Sequence, residues 1–400
     1  DPWTPDGGPG PVTVLSPRGF VASAAAAGIK PEGQLDLALV ATEDARAVPV
    51  GAVFTSNLLA AAPVQVCRSH LAQSGGLSAG VVLNSGCANS ATGLEGRLTA
   101  ELTCDLAARA LGVRPEHFLV CSTGTIGTRL AEERIEAALP KLIAGRGSSS
   151  DHAASAAKAI LTTDTRTKEV VVEAEGFVVG GMAKGAAMLS PNMATMLAVL
   201  TTDASSSPLA LHAALVGAVQ QSFNEMTVDG CTSTNDSVIV MASGIGPQVQ
   251  GEELEEALAA ACADLATQMV ADAEGGTKVV RVRVVGASDG ESARRAARRV
   301  AESQLVKSSW YGEDPNWGRV VSELGSAGTP FDPLRASVAY GAVTVCRDGV
   351  AVDHDEEALR EVLGAKQFEV TCDLGLGDGS ATMLSADLTP AYVELNKGLS

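Results

Sequence analysis

Aromatic residues and histidine are scarce in this 400-residue chain. Phe, Trp and Tyr make up 3% of it, and the histidines are His70, His117, His152, His212 and His354. So few rings leave little on which nucleobases could stack. With 29 basic residues against 47 acidic ones, the net charge of -18 offers no cationic face to displace counterions from a phosphate backbone. No nucleic-acid partner is expected. Long apolar runs are also missing: none approaches the roughly 18–20 residues that cross a bilayer, so no membrane span is expected. The cysteines (Cys67, Cys87, Cys104, Cys121, Cys231, Cys262, Cys346 and Cys372) are scattered, without a C-x-x-C pair. That spacing fits neither a disulfide scaffold nor a zinc site, and buried, reduced thiols are expected. No H-E-x-x-H or comparable array exists, so no metal is expected. Residues 1–11 (DPWTPDGGPGP) show neither a basic n-region nor an apolar h-region, which points to a cytoplasmic protein without a secretory signal.

What is present is 46% hydrophobic and 19% charged, as in a soluble globular enzyme with room for two or three domains. Strand-like runs alternate with alanine-rich helical runs. Ala79–Leu83, Ser237–Ala242 and Lys278–Val285 read as strands, and VVVEAEGFVV (170–179) reads as a hairpin about Glu175-Gly176. Helices are expected over Leu98–Leu111, closed by Gly112, and over Arg129–Ala144, kinked or divided by Pro140. Ser207-Pro208 reads as an N-cap followed by proline at the first helical position. Further helices are expected over Glu252–Ala271 and Gly290–Glu302, and strands over Val338–Cys346 and Gln367–Asp373. The arginines 294, 295, 298 and 299 read as a solvated helix face rather than an anion site. A nucleophile-bearing α/β core over 1–285 and a smaller α+β domain over 286–400 are expected.

Hydroxyl, glycine and amide residues concentrate in a few loops. Gly180–Ala204 passes from a glycine-rich half to an apolar half at Met193, with Thr195 at the transition. By itself Thr195 reads as a strand or cap residue, and no histidine is local. CSTGTIG (121–127) follows an apolar stretch, and such a loop can aim backbone N–H groups at an oxyanion or form a plain turn. NSGCANSATG (84–93), DGCTSTND (229–236) and DPNWGR (314–319) are further polar segments. Singly, none specifies a chemistry.

Taken in order, these segments resemble the ornithine acetyltransferase family, also called glutamate N-acetyltransferase, of the arginine pathway. The carrying motifs also include AAGIK (26–30), GAVFTSN (51–57), LTTD (161–164), MAKGAAMLSPNMATML (182–197), ADAEGGTK (271–278) and DLGLGDGSA (373–381), so the resemblance spans nearly the whole chain after about residue 18. It implies an N-terminal-nucleophile-like layered α/β sandwich. It implies self-cleavage between Ala194 and Thr195 into an α segment, 1–194, and a β segment from 195, associated as an α2β2 heterotetramer. Thr195 would carry the acetyl group from N2-acetylornithine to glutamate. Its freed α-amine, with an ordinary pKa of about 7.7–8.0, would serve as the base in place of histidine.

By motif position, Thr123 and Gly124 match the oxyanion pair. Thr162, Lys184, Thr195, Glu274 and Asn396 match substrate-binding positions, with Lys184 suited to a carboxylate and Glu274 to an ammonium. No cofactor is implied, with acetyl-CoA as a co-substrate if the enzyme is bifunctional. Asp164 and Asp236 read as loop-capping carboxylates, Trp317 and Arg319 as structural, and Cys87 and Cys231 as passive. Two departures stand out. Ala187 replaces a usual glycine, harmless at negative φ and strained at positive φ. The tail Asn396-Lys-Gly-Leu-Ser400 has Leu399 in place of an expected tyrosine. The alternatives are a paralogue with another acyl donor or acceptor, a non-catalytic paralogue, or an amidohydrolase or aminopeptidase of the same architecture.

Overall fold

A computed structural model describes residues 13–31, 33–189, 196–249 and 251–397. In chain order its elements begin β1 (Phe20–Ala25), β2 (Leu37–Thr42), β3 (Val48–Phe54), α1 (Ala62–Ser74), β4 (Leu77–Ser78), β5 (Gly80–Cys87), α2 (Gly93–Leu111), β6 (Phe118–Thr125), α3 (Glu132–Ala144), α4 (Ser150–Ala159), β7 (Lys168–Ala174), β8 (Phe177–Lys184), β9 (Leu197–Thr202) and α5 (Pro208–Gln220). They continue with β10 (Met226–Thr227), β11 (Ser237–Ala242), α6 (Glu252–Ala271), β12 (Val279–Ala287), α7 (Gly290–Glu302), α8 (Gln304–Tyr311), α9 (Trp317–Ser326), β13 (Ser337–Tyr340), β14 (Val343–Arg347), β15 (Val350–Ala351), α10 (Glu356–Gly364), β16 (Gln367–Asp373), β17 (Gly379–Ala386) and α11 (Pro390–Asn396).

The chain divides into two compact units. One comprises Asp1–Gly185, Thr195–Ser222 and Ser233–Leu265, the other Ala186–Ala194, Phe223–Thr232 and Ala266–Ser400. The boundary expected after residue 285 does not coincide with this division, because it falls inside β12. That strand hydrogen-bonds to β16 and β17, both C-terminal to it, and so folds with them.

The first unit is a layered α/β sandwich. A four-stranded sheet, β1-β2-β5-β6, and a six-stranded sheet, β4-β3-β11-β9-β8-β7, share one core. Leu39, Val81, Leu83 and Val120 from the first sheet join Met182, Leu197, Val199, Ile239 and Met241 from the second. Along β9, Leu197 and Val199 enter this core while the intervening residues take the opposite face, as the two-residue period of a strand requires. Helices α3 and α4 cover β1 and β2, α1 and α2 cover β6, and α5 lies on β3 and β11. Local signals explain several ends. The Ser207 hydroxyl accepts from Ala210 N–H at 3.2 Å ahead of Pro208. Gly112 ends α2 in the left-handed conformation, φ 71°. The division of α3 at Pro140 does not occur: the helix runs through to Ala144.

The second unit is built on a seven-stranded sheet, β10-β17-β12-β16-β13-β14-β15. The single strand expected over Val338–Cys346 is a hairpin, β13 and β14, with Tyr340 paired to Val343 across Gly341 at φ 55°. Helix α7 buries Ala293, Ala296, Ala297 and Val300 against Val280, Val282, Val284 and Met383, leaving Arg294, Arg295 and Arg299 exposed. Asp289 caps this helix by accepting from Ser292 N–H at 2.7 Å. No helix among the described residues is long and apolar enough to cross a membrane.

Candidate active site

The parallel strands β5 and β6 end side by side, with Gly86 opposite Gly124 and an irregularity after Gly86. Gly124 has φ 133° and Gly86 φ 100°. A Cβ on Gly124 would stand 2.4 Å from the Gly86 carbonyl carbon, so only glycine fits. Thr123, on the adjoining position, is 2% exposed. The strand ends are tied by side-chain amides. Ser122 Oγ donates to Asn84 Oδ1 at 2.6 Å, and Asn235 Nδ2 donates to Ala88 O at 2.6 Å and Ser122 O at 2.9 Å. Asn235 thus fastens the start of β11 to the ends of β5 and β6.

In the second sheet, Leu197 on β9 sits opposite Lys184 on β8 and, on its other side, opposite Ser237 on β11. Ala194 and Thr195 lie outside the described residues, and the sequence places them immediately before Met196. The Met196 N–H donates to Asp236 Oδ1 at 3.0 Å. Asp236 is fully buried, its Oδ2 makes no hydrogen bond among the described residues, and burial pushes its carboxyl well above the usual range. This bond reaches 40 residues back along the chain to the start of β9, rather than capping Asp236's own loop as the sequence suggested.

Asp164 does more than cap a turn. Its Oδ1 accepts from Lys168 Nζ and from Gly185 N–H, each at 2.7 Å, and its Oδ2 accepts from Thr162 N–H at 3.0 Å. Lys184 Nζ lies 3.5 Å from Asp164 Oδ2 and donates to Thr162 Oγ1 at 2.7 Å. The side chains of Asp164 and Lys168 are fully buried and that of Lys184 is 4% exposed. Burial alone would raise the Asp164 carboxyl, but the Lys184 and Lys168 ammonium ions outweigh it and hold the group well below the usual carboxylate range. Lys184 also acts electrostatically on Asp236. In this unit Thr123 and Gly124 sit together at the end of β6, and Thr162 and Lys184 meet at the end of β8. Asn235 was not singled out by sequence, because its partners are distant along the chain. Lys168 was not either, because its partner Asp164, four residues away, reads there as a turn cap.

Glu274 and Asn396 belong to the second unit, where Asn396 Nδ2 donates to Glu274 Oε2 at 2.7 Å. A pocket of about 80 Å³ there is lined in part by Asp229, Glu274, Glu302, Lys307, Asp387 and Tyr392. Burial lowers the Lys307 ammonium to about 8, and it donates to Val228 O. Four carboxylates around one weakened cation suit an ammonium ligand. Ala187 is absent from the positive-φ residues. Its neighbour Met188 carries that conformation, φ 52°, so the methyl of Ala187 brings no backbone strain. Leu399 and Ser400 lie outside the described residues.

The histidines take other work. His70 Nδ1 bonds Phe118 O at 2.8 Å at the start of β6, five residues and about 16 Å of strand from Thr123. His117 contacts Arg114, His152 contacts Ser149 and His354 contacts Val352 O. All eight cysteines are free. Cys231 is exposed rather than buried, in a loop where the Cys231 N–H donates to Asp229 Oδ1. Among the described residues no group of His, Cys, Asp or Glu is placed to hold a metal ion.

A model of the ArgJ family matches residues 21–399. The arginine biosynthesis bifunctional protein ArgJ of Thermobifida fusca is 43% identical over 395 residues, covering 97% of this chain and 100% of its own. That of Symbiobacterium thermophilum is 44% identical over 398 residues, covering 96% and 97%. A crystal structure of the ArgJ protein from Bacillus halodurans is 35% identical, covers 50% of this chain and 96% of its own, and has a TM-score of 0.48.

Proposed function

The chain belongs to the ArgJ family of arginine-biosynthesis enzymes, and on that premise we propose that it moves the acetyl group of N2-acetylornithine to glutamate through an acetyl ester on Thr195. The observation that supports this reading is that Lys184, hydrogen-bonded to Thr162, ends β8 beside the start of β9 just after Met196, while Thr123 and Gly124 end β6, which Asn235 ties to the start of β11. Cleavage of the Ala194–Thr195 bond gives Thr195 a free α-amine. The hydroxyl attacks the acetyl carbonyl and passes its proton to that amine, which returns it to the departing nitrogen of ornithine. The α-amine of glutamate then attacks the ester, and N-acetylglutamate leaves. Thr123 and Gly124 stabilise the oxyanion of both tetrahedral states. Lys184 neutralises a substrate carboxylate, with Thr162 as its hydrogen-bond partner. Glu274, held by Asn396, supplies the charge for an ammonium. The two segments stay associated as an α2β2 assembly. In a bifunctional member the same ester is charged from acetyl-CoA.

The test is ornithine release from N2-acetylornithine with and without glutamate, and with acetyl-CoA as a separate donor arm. Glutamate-dependent release is expected. Equal release without glutamate would make the protein a hydrolase. For the oxyanion pair, Thr123→Ala should lower kcat about 10²–10³-fold with little change in KM, because the donor acts on the tetrahedral state. A rise in KM alone would make Thr123 a binding residue.

A further inference from the structure

We propose that Lys30 is a second carboxylate-binding cation of this active site, taking the α-carboxylate shared by the N-acyl donor and the amino-acid acceptor. The proposal rests on the acetyltransferase reading above. Its geometry starts at Asp36, which is fully buried. The Asp36 carboxylate accepts from Ala27 N–H and Ile29 N–H at 2.6 Å each and from Lys30 N–H at 2.9 Å. One buried charge thus fixes the whole AAGIK turn and sets the direction in which the Lys30 side chain leaves it.

That side chain crosses Gly86. A Cβ on Gly86 would stand 3.1 Å from Lys30 Cγ, and Gly86 in turn abuts Gly124. The stem of Lys30 therefore lies over the end of β5, the neighbour of the β6 end that carries the proposed oxyanion residues. At its tip the ammonium donates to Leu35 O at 3.2 Å, and no ion pair to Lys30 is found among the described residues. Burial lowers this ammonium, and of the charges around it Asp36 acts most strongly, followed by Lys184 and Asp164. Asp164 is already matched by Lys168 and Lys184. Lys30, Lys168 and Lys184 thus face Asp36 and Asp164, and three cations against two carboxylates leave net positive charge for an anionic ligand.

Substrate chemistry says which anion. In an N-acyl amino acid the α-carboxylate sits on the carbon bearing the reacting nitrogen, so it is the charge nearest the oxyanion. The donor and the acceptor both have it. A cation beside Gly86 and Gly124 is placed for that group.

The experiment compares wild type, Lys30→Met and Lys30→Arg in full-length protein, using N2-acetylornithine and its α-carboxamide. With the acid, Lys30→Met should lower kcat/KM about 10–100-fold, mostly through KM, as expected for loss of a charged hydrogen bond. With the carboxamide, wild type and Lys30→Met should differ by less than about twofold, within the scatter of independent effects. Lys30→Arg should recover most of the loss. Circular dichroism verifies folding, and Lys30→Gln replaces a Met variant that does not fold. An equal loss on both substrates would make Lys30 structural and overturn the proposal. An active wild type with unchanged kcat/KM in Lys30→Met overturns it alone. A wild type that does not act on N2-acetylornithine overturns the acetyltransferase reading and this proposal together.

Discussion

Purified wild-type protein is expected to run as two fragments of similar mass, and N-terminal sequencing of one should begin Thr-Met-Leu-Ala. Thr195→Ala should remain a single chain and lose acetyl transfer by about 10⁴–10⁶-fold, the scale seen when a covalent nucleophile is removed. Two consequences share one cause. Without the hydroxyl, nothing attacks the Ala194 carbonyl to convert the peptide bond to an ester for water to open. Without the hydroxyl, no acetyl ester forms either. Met196 supports this placement through its covalent link. Peptide planarity ties the Thr195 carbonyl to Met196 N, and that nitrogen is held at 3.0 Å by Asp236. Thr195→Ser, which keeps a hydroxyl, should still be cut and should retain partial activity. A wild-type chain that stays uncut yet transfers acetyl groups would overturn the mechanism.

Legibility in the sequence followed how local each cause was. Ser207 and Pro208, Gly112, and the turn at Glu175-Gly176 act within a few residues, and each marks the end it should. Strands β1 and β2 (FVASAA and LALVAT) were not legible. Nearly every residue in them is buried, so no polar alternation distinguishes them from a helix turn. The same applies to the domain boundary, which depends on β12 choosing partners about 90 residues downstream. In the site, motif identity singled out Thr123, Gly124, Thr162 and Lys184, but not what holds them. Asp36 looks like any loop carboxylate until three backbone N–H groups are seen to converge on it. Asp164 reads as a cap because its contact with Thr162 is local. Its heavier task lies with Lys184 and Gly185, some twenty residues on.

That task makes Asp164 the position of the largest expected stability loss. Asp164→Asn keeps the size of the side chain and removes its charge. Lys168 and Lys184 are then left buried without their counter-ion. Removing one partner of a buried pair costs about 3–5 kcal/mol, and the near-complete burial leaves no solvent screening to soften it. For a unit of this size the loss corresponds to a fall in Tm on the order of 10 °C. Acetyl transfer should fall as well, because Lys184 and Gly185 lose their shared anchor. The pH dependence has a definite sign. The folded carboxyl lies well below its unfolded value of about 3.9, so its contribution is complete above that value and declines as pH falls toward the folded pKa. The gap in Tm between wild type and Asp164→Asn should therefore be constant from about pH 7 to pH 5 and should narrow below about pH 4. Thermal melts across that range decide it. A gap that stays unchanged down to pH 3, or a variant as stable as wild type at pH 7, would show that Asp164 is not the charge holding the two lysines in place.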